Sequence, residues 1–151
     1  MLARMDHPTA GPDATRSVNG AQTAEVRVPD RPASVPATRA FLTRLLDGWG
    51  VADEVIDDAS LLTSELLSNA IQHGTGTVEL RVEAEDGLLH VAVHDQSDQT
   101  PVVNHAGPTS PRGRGLWIVQ SIAHDWGTEP AGEEPGKTVW FELSTLRALH
   151  G

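Results

Sequence analysis

The chain contains no cysteine, which excludes disulfides, thiol nucleophiles and cysteine-ligated metals. Basic residues are scarce: 11 Lys and Arg stand against 21 Asp and Glu, a formal charge of −10. That balance argues against nucleic acid or an anionic membrane surface as partner, while leaving local cations able to hold a phosphate. No apolar run approaches the ~20 residues needed to span a bilayer. The N-terminal stretch MLARMDHPTAGPDATRSVNGAQTA lacks the apolar centre of a signal peptide, so a cytoplasmic location is expected. No internal repeat is present. There is no Gly-x-Ser-x-Gly elbow, and no serine sits in a nucleophile's setting, so a hydrolase triad is not expected. His-Glu-x-x-His is absent as well. His90 and His94 lie on an alternating run, where a strand would hold them on one face but roughly 13 Å apart. No histidine–carboxylate cluster has the spacing of a metal site.

What remains is enough for one domain with a single core, at 151 residues. Residues 1–22 are rich in Pro, Gly, Ala, Thr and Asp without periodicity and read as a disordered tail. The folded domain is expected over 23–147. TAEVRVP alternates and stops at Pro29, which predicts a first strand. SVPATRAFLTRLLDGWG places Ala40, Phe41, Leu45 and Leu46 at helical spacing ahead of Gly48 and Gly50. ADEVIDDASLLTSELLSNAIQHG reads as a longer helix, with acids in its first turn and Gly74 past its end. TGTVELRVEAE and LLHVAVHD alternate on either side of Asp86-Gly87, a strong hairpin signal. Beyond Asp95 the pattern gives way to a proline-containing, lid-like loop over about residues 96–112. GLWIVQSIAHDWG resumes helical spacing, and a glycine-rich turn leads into a last strand, KTVWFELS. This order predicts an α+β two-layer sandwich, with helices on one face of a mixed, mostly antiparallel sheet.

Several segments carry chemistry. Glu65, Asn69 and His73 form a stripe, four residues apart, along the border of the apolar face made by Leu62, Leu66, Leu67, Ala70 and Ile71. Its plain reading is a wetted helix margin. Its chemical reading is specific: an amide oxygen is a good neutral ligand for Mg²⁺. A carboxylate one turn away can accept the proton of a hydroxyl attacking a phosphate. Asp95 closes its strand either as a turn cap or as an acceptor for an exocyclic amine such as that of adenine. Pro-Arg-Gly-Arg-Gly-Leu, residues 111–116, puts two glycines directly before a helix, where backbone N–H groups lack intrahelical partners. Taken alone, that is a flexible helix start. The run from Ala131 to Thr138, AGEEPGKT, fits a loose phosphate-loop pattern. The residues after Lys137 nevertheless read as a β-branched and aromatic strand, where that loop requires a helix.

Taken together and in order, these segments resemble the GHKL (Bergerat-fold) ATP-binding domain of histidine kinases, DNA gyrase and MutL. More closely they resemble the stand-alone anti-sigma-factor serine/threonine kinases and their short actinobacterial relatives, over about residues 23–144. The resemblance implies a Bergerat fold with ATP and Mg²⁺ as cofactors. It implies that Asn69 binds the Mg²⁺ that bridges the ATP phosphates, that Glu65 is the general base, and that Asp95 takes the adenine amino group. Arg112, Gly113, Arg114, Gly115 and Leu116 would contact the phosphates from the lid and helix start. Gly136, Lys137 and Thr138 would form the last glycine turn, with Thr138 near the adenine. One departure stands out: where the family has Asp-x-Gly-x-Gly, this chain has Asp95-Gln96-Ser97-Asp98-Gln99.

The function implied is sequestration of a sigma factor and phosphorylation of a Ser or Thr on an anti-anti-sigma (STAS-type) partner. The alternative is a non-catalytic nucleotide-binding module acting through protein–protein contacts, which the missing glycines favour. A homodimer is an expected assembly, with the first helix and first strand as candidate surfaces.

Overall fold

The computed structural model describes residues 15–18, 21–72, 76–96, 114–130 and 136–145. In chain order these form β1 (Thr15–Val18), β2 (Ala21–Val28), α1 (Ser34–Gly48), α2 (Asp53–Gln72), β3 (Val78–Glu85), β4 (Leu88–Asp95), α3 (Arg114–Ile122), β5 (Asp125–Pro130) and β6 (Lys137–Ser144). The strands build one sheet in the order β1-β2-β3-β4-β6-β5, and every pairing is antiparallel.

Alternation decides which side of each strand is buried. Val26 and Val28, Leu80 and Val82, Leu89, Val91 and Val93, and Val139, Phe141 and Leu143 all turn inward. α2 covers this face across β3, β4 and β6, and α1 and α3 pack against α2. Leu42, Leu46, Leu62, Leu66 and Leu67 from the helices close over Phe141 and the strand residues in one apolar cluster. The opposite face carries Glu25, Arg27, Glu79, Arg81 and Glu83, with Arg81 bridging Glu25 and Glu83 at 3.6 and 2.7 Å. The architecture is therefore the α+β two-layer sandwich, with its helices on one side.

Local chemistry explains the joints. Asp86 and Gly87 both have positive φ, 53° and 81°, the requirement of the two-residue turn whose twist matches the flanking strands. α1 ends in a Schellman motif: Gly50 sits at φ 82°, its N–H donates to Asp47 O, and the N–H of Val51 donates to Leu46 O. Asp53 and Glu54 lie in the first turn of α2, at the positive end of its dipole.

Two edges differ from the sequence-based expectation. Strand pairing begins at Thr15, within the stretch 1–22 read as a tail, because β1 pairs with Ala21–Ala24 and covers what would otherwise be the open edge of β2. The third helix stops at Ile122 instead of running on to Gly127. His124 N–H donates to Glu142 O at 2.8 Å, and Asp125–Pro130 continue as an edge strand along β6. Tertiary pairing there outweighs local helical spacing. Among the described residues no helix is long and apolar enough to cross a membrane.

Candidate functional site

α2 presents Glu65 and Asn69 half-exposed, beside the buried Leu62, Leu66, Leu67 and Ala70. The topology fixes which end of the sandwich they approach. α2 ends at Gln72 and β3 begins at Val78, so the chain has only residues 73–77 in which to enter the sheet. Glu79 is paired with His94, which puts that entry at the Asp95 end of β4. Gly76 lies close to the Gln96 side chain, and its N–H donates to Asp30 at 3.0 Å. α3 packs on the same side of the sheet, against α2. It leads into β5, whose Asp125 pairs with Glu142, at the far end of β6. It spans nine residues, Arg114–Ile122, and the first N–H groups of a helix have no intrahelical partner.

At this end Asp95 and Lys137 are directly opposite one another on β4 and β6. Both turn into the helix-covered face and are buried. Lys137 Nζ donates to Asp95 Oδ1 at 3.1 Å and to Oδ2 at 2.9 Å. Gly136 makes the close approach possible. Its φ is 118°, and a Cβ there would run into the carbonyl oxygen of Asp95 and meet Gln96 Cα at 3.1 Å. Gly136→Ala is expected to cost ~2–3 kcal/mol from strain and displacement and to lower Tm by roughly 5–10 °C, measured by thermal unfolding.

Thr138 is set apart from this group. One residue along the strand, it emerges on the opposite face, where its hydroxyl meets His94 Nδ1 at 3.1 Å. The position that faces Asp95 belongs to Lys137. Strand alternation accounts for the difference: Lys137 is in phase with the buried Val139, Phe141 and Leu143, and Thr138 with the half-buried Trp140 and Glu142. Arg114, Gly115 and Leu116 lie in the first turn of α3, whereas Arg112 and Gly113, the expected lid and His73 fall outside the described residues.

That opposite face also holds a groove of about 620 Å³, lined by Glu25, Arg81, His90, His94, Thr138 and Trp140 among others. His90 stacks on Trp140 with ring centroids 5.3 Å apart, and its Nδ1 lies 3.1 Å from Glu142. Arg81 and Glu25 there already satisfy one another, and no group of three potential metal-binding side chains occurs among the described residues. Of the residues singled out from the sequence, Asp95 and Lys137 lie on the helix-covered face, whereas Thr138 lines this groove. A Mg²⁺ held by one amide oxygen and by phosphate oxygens needs no cluster of protein carboxylates.

A family model for the histidine kinase-like ATPase domain matches residues 28–143. The chain is 27% identical to a serine-protein kinase RsbW of Bacillus licheniformis, over 65% of this chain and 72% of that protein. It is 31% identical to serine-protein kinase RsbW of Bacillus subtilis (strain 168), over 53% of each.

Proposed function

The chain belongs to the histidine kinase-like ATPase domain family, and from that premise we propose an ATP- and Mg²⁺-binding anti-sigma regulator that phosphorylates Ser or Thr of an anti-anti-sigma partner. The observation that carries this reading is a convergence. The helix that carries the Glu65–Asn69 stripe ends where β3 enters the sheet beside the buried Asp95, and α3 packs against that helix. A wetted helix margin does not require the other two. Gly136 is consistent with the reading, since only a residue without a Cβ lets the chain pass this close to the Asp95 backbone.

Bound ATP would supply the transferable γ-phosphoryl group. Asn69 would offer its amide oxygen to Mg²⁺, and Asp95 would accept a hydrogen bond from the base. Backbone N–H groups at the start of α3, with Arg112, Gly113, Arg114, Gly115 and Leu116, would hold the phosphates. Glu65 would take the proton of the incoming hydroxyl as its oxygen bonds to phosphorus and the bond to the β-phosphate oxygen breaks. The partners proposed are a cytoplasmic sigma factor and an anti-anti-sigma protein, with a homodimer as the assembly.

Calorimetric titration tests the nucleotide part. Mg·ATP is expected to bind the full chain, and Asn69→Ala or removal of Mg²⁺ by EDTA to weaken binding at least about tenfold. A wild-type chain that shows no magnesium-dependent binding would sink the reading. The missing glycines at Ser97 and Gln99 favour a second reading, a nucleotide-binding module without phosphotransfer.

A further inference from the structure

Asp95 and Lys137 are an expensive pair to bury. Their side chains are 3% and 6% exposed, and removing two charges from water commonly costs more than their mutual attraction returns. An apolar pair of the same volume would serve the core as well, as Val93 and Val139 do one step further in on the same face. The pair sits instead at the sheet margin, at the end where α2 leads into β3. An ammonium has three N–H donors, and Lys137 directs two toward Asp95. A carboxylate offers about four lone-pair positions, so it can serve more than one donor at a time. The cross-strand register therefore holds a donor and an acceptor side by side.

We propose that Lys137 determines the purine preference of this site, because its N–H beside the Asp95 acceptor lets the pair take a 6-oxopurine as well as adenine. The inference rests on the nucleotide reading above, with the base at Asp95. A carboxylate alone accepts from the 6-amino group of adenine and repels a 6-oxo group. With Lys137 beside it, two pairings become available. Asp95 takes the amino group of adenine while Lys137 donates to N1, or Lys137 donates to the 6-oxo oxygen while Asp95 takes the N1–H. Both pairings use the same two side chains and leave no charged group facing its like.

The test is calorimetry on the full chain with Mg·ATP and Mg·ITP, whose bases differ at the purine 6-position and the N1 proton. The wild-type ATP-to-ITP affinity ratio is expected to be below about tenfold, and Lys137→Met to raise it to about a hundredfold or more, since the 6-oxo group then faces a carboxylate with no donor. The wild-type ratio is measured first and decides the matter alone if the variant does not fold. A wild-type ratio of about tenfold or more, or a ratio that Lys137→Met leaves unchanged, overturns the proposal. Failure of both nucleotides to bind the wild type is a different result: it removes the nucleotide reading itself and this inference with it.

Discussion

Glu65→Gln is expected to lower transfer from γ-labelled ATP to a partner serine or threonine by about 10²–10⁴-fold, with Mg·ATP affinity within about twofold of wild type. The amide keeps the size of the side chain at a half-exposed helix position, so packing is preserved. It loses the ability to accept the hydroxyl proton, which matters only once the acceptor oxygen attacks. The effect should therefore appear in the transfer rate and not in nucleotide binding, the reverse of what is expected for Asn69→Ala. Labelled transfer to anti-anti-sigma partners, run beside calorimetry, separates the two proposed functions. Transfer by the wild type that Glu65→Gln abolishes rules out the binding-only module. Tight Mg·ATP binding without transfer to any such partner rules out the kinase. Transfer that persists in Glu65→Gln leaves a kinase but removes Glu65 as its base.

Much of this architecture is legible in residue patterning, for physical reasons that also set its limit. β4 could be bounded from its alternation and from the Asp-Gly turn, because a two-residue turn with positive φ at both positions fixes the register of its own strands. α2 could be read from the apolar stripe and its acidic first turn. β1 and β5 could not be bounded this way. Both are edge strands whose ladder bonds run to a single neighbour, and Asp125-Trp126-Gly127 has no alternation to announce it. Gly127 becomes intelligible only beside Trp140, whose ring lies within 2.9 Å of where its Cβ would stand.

The site shows the same division. The Glu65–Asn69 spacing is local and was visible, and so in principle was the phase of the last strand: apolar residues at 139, 141 and 143 put 137 inward and 138 outward. The motif resemblance implies Thr138 near the base, whereas the strand phase turns it to the opposite face. The partnership of Lys137 with Asp95 is another matter. β4 and β6 are separated in the chain by α3 and β5, so nothing local sets which residue of one strand faces which residue of the other.

That partnership is also where the largest effect on stability is expected. Lys137→Met alone should destabilise the chain by ~3–5 kcal/mol, because it leaves a buried carboxylate without its counter-charge. Asp95→Leu alone should cost a similar ~3–5 kcal/mol by stranding the ammonium. The double variant Asp95→Leu/Lys137→Met should return to within ~1 kcal/mol of wild type or exceed it, since two apolar side chains need no compensation there. Urea unfolding followed by Trp fluorescence gives all four corners of the cycle, with constant m-values as the check that only stability has changed. Additive losses in the double variant would mean that each residue supports the fold independently, and the argument from burial cost would fail. A restored fold that no longer binds nucleotide would separate the two roles cleanly: the sandwich would stand without the pair, and the charges at the end of β4 and the start of β6 would be there for the ligand.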